Sequence, residues 1–392
     1  MGFFSGRVTF ARYRVTGPSP GMFGPEHLER LQAHAIGKQR VASSDGVEIG
    51  WTAGDHILDT RFDLAKNVVN DALHFCLRVD TQKVPSDLLR AYAVVELEAL
   101  AAANPSGMPG ARQKKEARET ARERLEEEAR DGRFLKRKAY PILWDAQSNE
   151  LLVGSTAASV VDRLHLLFEQ TFGCGFEPLG AGRQMFRLAE VRQQTRGVDD
   201  AGPAPFVPGV SPSEVAWLPD EANRDFLGNE YLLWLWFMLD AESDTIPLGD
   251  GSEAAVMLAR TLVLECPRGQ TGRETIVSDG PTRLPEARRA VQAGKLPRKV
   301  GVVVVRQDHQ YELTLQAETL VVSGARLPAP DAADERARLE ERVTQLRHLL
   351  ETLDLLYDAF GQRRVGAGWV KELAKIQKWL QRDERGRISA TA

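Results

Sequence analysis

Apolar and polar positions alternate in several stretches of the chain. Gly6 to Val15 places Val8 and Phe10 on one face; Val47, Ile49 and Trp51 alternate with polar or small residues. Leu73, Phe75, Leu77 and Val79 alternate with His74, Cys76, Arg78 and Asp80. Period two over these lengths predicts strands with one buried face. Tyr140, Ile142 and Trp144 repeat the pattern, and a turn at Asp145 to Asn149 leads into Glu150 to Gly154, a predicted β-hairpin. Helical signals lie between these strands. Pro25 to Ala35 has its proline at the start. A second helix begins at Pro85-Ser86-Asp87, runs to about Ala103 and stops at Asn104-Pro105-Ser106-Gly107. Ala158 to Thr171 carries Val161, Leu164, Leu167 and Phe168 on one face.

The second half changes character. Gly197 to Pro219 is rich in proline and glycine and reads as a linker or long loop. The aromatic run Asp225 to Phe237 predicts a mostly buried helix, in which Trp234 and Trp236 are core residues rather than base-stacking ones. Strand patterns follow at Arg260 to Cys266, Lys299 to Arg306, Gln310 to Gln316 and Glu318 to Ser323, the last three as an antiparallel meander. Leu339, Val343, Leu346, Leu350, Leu353, Tyr357 and Phe360 recur at alternating spacings of four and three, a seam like that of a coiled coil. Trp369, Leu373, Ile376 and Leu380 continue the spacing beyond Gly361 to Gly368, which predicts a helical hairpin. The expected architecture is α+β: antiparallel sheets with packed helices, a charged projecting helix and a C-terminal helical hairpin. Its segments are 1–84 (strand-rich α+β), 85–139 (helical, highly charged), 140–196 (hairpin plus helix), 197–224 (linker), 225–330 (aromatic helix and sheet) and 331–392 (helical hairpin).

At 392 residues the chain can bury two or three compact cores. No apolar run reaches the ~18–20 residues that span a bilayer, and Met1 to Arg7 lacks the basic start and apolar core of a signal peptide. The expectation is a cytoplasmic protein without a membrane partner. Cys76, Cys174 and Cys266 are far apart and form no CxxC pair, so neither a zinc ribbon nor a disulfide framework is expected. The net charge of −4 argues mildly against nucleic-acid binding, but it does not say where the charges sit.

Three basic clusters qualify as phosphate contacts, which need only Lys and Arg reaching a regularly charged backbone. The first comprises Arg112, Lys114, Lys115 and Arg118, then Arg130, Arg133, Lys136, Arg137 and Lys138, with acids in the middle. Arg133 to Lys138 holds four basic residues and no acid. The bland alternative is a solvated helix laced by i,i+4 ion pairs. The second comprises Arg288, Arg289, Lys295, Arg298 and Lys299 beside a strand, where charge also blunts sheet edges. The third, Arg363, Arg364, Lys371, Lys375 and Lys378 with Arg382, Arg385 and Arg387, fits the wet side of the hairpin better.

Enzyme signatures are missing: no GxxxxGK[ST], HExxH or GxSxG occurs. Gly180-Ala181-Gly182 is too short for a phosphate loop and reads as a structural turn. His27 and His34 share a helix face without carboxylate support. Asp55, His56, Asp59 and Asp63 give the alternative reading, a divalent-metal nuclease, although acidic loop residues are mostly just exposed. A further alternative is a scaffold that self-associates through the Leu339 to Phe360 seam without binding DNA. The leading expectation is a non-enzyme with no cofactor and no metal.

Several pieces in this order resemble the recombination-associated RdgC family. They are Gly50-Trp51, the strand Leu73 to Asp80, Val84-Pro85, the charged helical stretch, Tyr140 to Asp145 and Asn149 to Ser155. Leu166-Leu167-Phe168 before Phe176-Glu177-Pro178-Leu179, and Ala293 to Val300 before a strand meander, complete the match. The resemblance covers most of the chain with diffuse motifs. The aromatic helix and the segment Gly366 to Ala392 depart from the family pattern. The resemblance implies a nucleoid-associated, ring-shaped dimer that binds double-stranded DNA with little sequence preference and limits a RecA-type recombinase.

Overall fold

The computed structural model describes residues 2–38, 46–102, 107–207, 215, 217–218, 223–267 and 272–382. The chain opens with β1 (Val8–Thr16), α1 (Pro25–Ala33), β2 (Val47–Thr52), the one-turn helix α2 (Leu64–Asn67), β3 (Val68–Val69) and β4 (Ala72–Gln82). Helices α3 (Ser86–Ala102) and α4 (Ala111–Arg130) come before β5 (Leu135–Asp145). Then follow β6 (Glu150–Val153), α5 (Ala158–Phe172), β7 (Gly175–Pro178), α6 (Ala181–Val191) and α7 (Thr195–Asp199). The second half runs α8 (Phe226–Phe237), β8 (Thr245–Pro247), β9 (Glu253–Glu265), β10 (Arg273–Ser278), α9 (Pro285–Gln292), β11 (Leu296–Arg306), β12 (His309–Gln316) and β13 (Val322–Arg326). It closes with α10 (Glu335–Arg364) and α11 (Trp369–Leu380).

Among the described residues 13 strands form one antiparallel sheet with main order β10-β9-β11-β12-β13-β1-β6-β5-β4-β2. β1 holds its halves together. Val8 and Phe10 pair with β13, while Ala11 to Arg14 pair with β6. Adjacent strand residues point to opposite faces, and here they enter different cores. Phe10, Ala72, Leu143 and Leu152 belong to one, and Ala11, Leu73, Ile142 and Leu151 to the other. The second core is covered by α1 and α5; the first, larger core is packed by α6, α8 and α10.

This layering corrects the expectation of one buried face for β4, because Ala72 to Asp80 are buried throughout. The face with His74, Cys76, Arg78 and Asp80 is covered by the loop after β2: Arg78 donates to Ile57 O, and Gly54 lies against the His74 ring. Burial holds His74 down to about 3 and pushes the Cys76 thiol up to about 12.

All 12 residues of α8 are buried, which accounts for its apolar character all round. Its polar members are tied to neighbouring elements: the Asn229 amide nitrogen donates to Pro297 O and Glu318 Oε1, and Glu230 pairs with Arg364. Gly228 is required by contact, since a Cβ there would stand 1.9 Å from Ala317 O.

The predicted seam lies along α10, and Val343, Leu346, Leu353, Tyr357 and Phe360 are buried within this chain. A scaffold assembled through that seam therefore has no free surface there. α10 clamps both sheet halves: Arg342 donates to Phe3 O, Arg347 pairs with Asp145, and Tyr357 donates to Ala181 O. α11 turns back onto α8, α9 and α10, with Trp379 against Trp236 and Phe237. The proline- and glycine-rich segment is also less detached than a linker. Val198, Ala201, Ala204, Phe206 and Val215 enter the first core, while 208–214, 216 and 219–222 lie outside the described residues. Nor does a segment boundary fall at residues 139 and 140, which are neighbours inside β5. Among the described residues no helix is long and apolar enough to cross a membrane.

Candidate nucleic-acid interface

β4 and β5 pair along their whole length, from Ala72 opposite Asp145 to Gln82 opposite Leu135. β6 accompanies only Ile142 to Asp145. Beyond Pro141, which has no N–H to offer an outer neighbour, β5 runs with an open edge among the described residues. The α3–α4 hairpin sits at the end of this ribbon. Its helices pack chiefly on each other, through the buried Ala117, Ala121, Leu125 and Ala129 of α4. Tyr92 adds a hydrogen bond to Glu128, which holds its hydroxyl proton, and a face for Arg124 at 4.4 Å. The charged stretch is thus a two-helix arm on a β-ribbon.

Arg133 to Lys138 do not continue a helix, contrary to the helical expectation for 85–139; Arg133 lies in a turn and Lys136, Arg137 and Lys138 on β5. Tyr140, opposite Leu77, packs against the second core. Lys138 and Lys136 are the next positions on that face, opposite Val79 and Thr81, and both are exposed. Neither has an ion-pair partner among the described residues. Arg137 points to the other face, 3.5 Å from Asp80, which Arg78 already engages at 2.6 Å. Arg133 lies 3.5 Å from Asp131. Arg112, Lys114 and Lys115 are exposed at the far end of α4, whose length puts them roughly 25 Å from Arg130. Lys115 faces Glu119 at 3.7 Å.

The second cluster is mostly engaged inside the protein. Arg288 bonds Asp240 and Trp379 O. Lys295 is 5% exposed and paired with Glu274. Arg298 bridges Glu265 and Glu318 and lies 4.2 Å from the Trp217 ring centre. Only Arg289 is exposed, and Lys299 is half-buried. In the third, Arg363, Arg364 and Lys375 pair with Glu372, Glu230 and Glu242. Lys371, Lys378 and Arg382 are exposed, and Arg385 and Arg387 lie outside the described residues.

A further basic surface has no local sequence signal. Among the described residues no helix covers the outer face of the β9–β11–β12–β13 region, the side opposite the first core. Arg7, Arg260 and Arg326 are exposed on it, and Thr9, Lys299, Thr314 and Gln316 lie between them. Glu312 sits 3.5 Å from Arg7 and 2.6 Å from Arg260. These residues are scattered in sequence and converge only through strand pairing. Thr9 has the same parity as Ala11, Tyr13 and Val15 of the second core, so this surface and Lys136 and Lys138 belong to one side of the sheet.

The acidic trio is tied to local structure. Burial works against the Asp59 charge, but Lys66 Nζ at 2.6 Å and the Arg61 N–H hold it below the usual carboxylate range. Asp63 caps α2 by accepting from Ala65 N, and Asp55 is exposed, 3.8 Å from Lys66. Among the described residues no three His, Cys, Asp or Glu side chains are grouped to hold a metal. A cleft of about 750 Å³ lies where β7 and β13 meet β1, lined by Tyr13, Arg183, Phe186 and Gln316. The α6 N-terminus beside it includes Gly180-Ala181-Gly182 and is already capped by Asp225, which accepts from Gly182 N at 2.8 Å. Trp234 and Trp236 are buried, out of reach of any base.

No protein-family model matches this chain, and no curated protein matches it.

Proposed function

We propose that the protein binds double-stranded DNA through phosphate contacts, without reading base edges and without cutting. The observation that carries this reading is the exposure of Lys136 and Lys138, unpaired among the described residues, on the open-edged end of β5. Two lysines on one strand face, about 6.8 Å apart, can each displace a condensed counterion when a phosphate backbone lies along the ribbon. Arg7, Arg260, Lys299 and Arg326 supply a second cationic area on the same side of the sheet. Arg112 and Lys114 extend the reach of the arm. The negative net charge is no obstacle in itself, since a phosphate backbone meets the local charge and not the total.

The RdgC resemblance supports the same direction and extends it to a dimer that encircles or cradles duplex DNA and limits a RecA-type recombinase. Labelled duplexes of unrelated sequence, titrated at several salt concentrations with and without Mg²⁺, test the reading. The expected result is similar affinity for each duplex, a steep fall with salt and intact DNA. Absence of duplex binding at low salt, or cleavage lost in Asp59→Ala, would overturn it.

A further inference from the structure

Along one edge β1 changes partner. Val8 and Phe10 pair with β13, and Tyr13 to Thr16 with β7. The cleft of about 750 Å³ lies where the two part, and its size falls within the roughly 300–1,000 Å³ of small-molecule sites. Tyr13 lines it and is 7% exposed, yet its hydroxyl has no hydrogen-bond partner among the described residues, and burial alone raises its pKa. A phenol buried this far ordinarily finds a partner. The half-buried Gln316 also lines the cleft, and its side-chain amide is equally without a partner among the described residues. Pro178, Phe186 and Val321 supply apolar surface. The Arg183 side chain is 55% exposed and pairs with Glu177, which is exposed to the same extent, so this ion pair opens at little cost.

These groups describe a ligand. An apolar surface with an aromatic ring takes a flat ring. A phenol and an amide can each donate and accept, which suits an edge that mixes donors and acceptors. One available guanidinium suits one phosphate. The other arginines at the cleft are held by the protein itself: Arg12 by Glu150 and Asp354, Arg224 by the Val198 and Asp199 carbonyls. The α6 N-terminus takes no second anion, because Asp225 already accepts from Gly182 N there. We propose that the cleft binds one unpaired nucleotide, with its base beside Phe186, the base edge on Tyr13 and Gln316, and the phosphate on Arg183. Two sources offer this chemistry, a free mononucleotide and an unpaired nucleotide of a DNA strand. The first is independent of duplex binding. For the second, Gln316 joins the two surfaces, since it belongs both to the cleft and to the bare outer face of the sheet.

Fluorescence titration of the full chain with 2-aminopurine probes tests it. One probe is the free 2-aminopurine deoxynucleoside monophosphate, and the other is a duplex with a single unpaired 2-aminopurine. Stacking beside Phe186 should quench the emission, with a dissociation constant for the free nucleotide on the order of 10–100 µM. Tyr13→Phe removes only the hydroxyl and should weaken binding about fivefold, the effect of one hydrogen bond. Arg183→Gln should weaken the nucleotide about tenfold and leave the nucleoside, which has no phosphate, unchanged. Lys136→Gln with Lys138→Gln should leave the free nucleotide untouched, which keeps this site distinct from duplex binding. Quenching of the free probe alone identifies a mononucleotide site, and quenching of the unpaired base alone identifies a DNA strand as the source. Quenching of neither probe overturns the proposal. So does a signal that Tyr13→Phe and Arg183→Gln both leave unchanged.

Discussion

Arg12 Nη1 lies 2.6 Å from Asp354 Oδ1, across 342 positions of sequence. The pair joins the strand shared by both sheet halves to the long helix that clamps them. Burial opposes the Arg12 charge, but Asp354 and Glu150 more than offset it and raise its pKa. Arg187 adds a second guanidinium to Asp354 at 2.8 Å. Asp354→Ala should therefore leave a buried cation with one carboxylate and destabilise the fold by about 3 kcal/mol. Urea unfolding measures this; a change under about 1 kcal/mol would mean that apolar packing alone seats α10.

Lys136→Gln with Lys138→Gln should lower duplex affinity alike for unrelated sequences. The slope of log affinity against log salt should shrink by about two, one unit per lost phosphate contact. Both positions are exposed, so stability should stay within about 0.5 kcal/mol. Fluorescence anisotropy at several salt concentrations gives the slope. If it does not change, the DNA path runs elsewhere, and Arg260→Gln with Arg326→Gln is the next pair.

Arg298→Ala should behave in the opposite way. It leaves Glu318, 5% exposed, without its guanidinium. The expected loss is about 2–4 kcal/mol of stability with little change in the salt slope. A thermal melt beside the binding titration separates the two effects. A stable Arg298→Ala protein with a reduced slope would place this residue on the DNA instead.

Acid should destabilise the protein through His74. Its folded pKa is about 3, far below the ordinary value of 6.5, so between these values the unfolded chain binds a proton that the folded chain refuses. Stability from this group is complete above about pH 6.5 and falls by up to ~1.4 kcal/mol per pH unit toward pH 3. His74→Phe, which removes the titration, should flatten the stability profile in that window. Equal slopes for both proteins, measured by urea unfolding at several pH values, would show that other groups dominate.

Local periodicity was enough to read most elements. The strand at Leu73 to Val79 became β4, the aromatic run became α8, and the heptad-like spacing became α10. What periodicity does not carry is which surface meets which. The same spacing of Val343, Leu346 and Leu353 suits a partner helix or the chain's own sheet, and the sheet takes it. Alternation in β4 suggested one wet face, but the loop after β2 covers it, a long-range contact that leaves no period. Leu135 to Lys138 follow soon after a helix, and only pairing with β4 makes them a strand. In the candidate site, Arg288, Lys295 and Arg298 were as visible in sequence as Lys136 and Lys138. Their acidic partners Asp240, Glu274 and Glu318 are 48, 21 and 20 positions away and come close only in the fold. Arg7, Arg260 and Arg326 form no cluster until the strands align.

Because β1 serves both halves of the sheet, the order of synthesis matters. Ala11 to Arg14 can find β6 once Val153 has emerged, whereas Val8 and Phe10 must wait for Val322 and Ala325. Between those two points the strand has one partnered end and one bare end, and bare strand edges invite wrong neighbours. Contacts this distant in sequence also slow refolding. A nascent chain halted just before Glu335 would have every strand in place and the side that α10 covers still open. Such a chain should be protease-sensitive and held by chaperones, and release of the remaining residues should convert it to a resistant form.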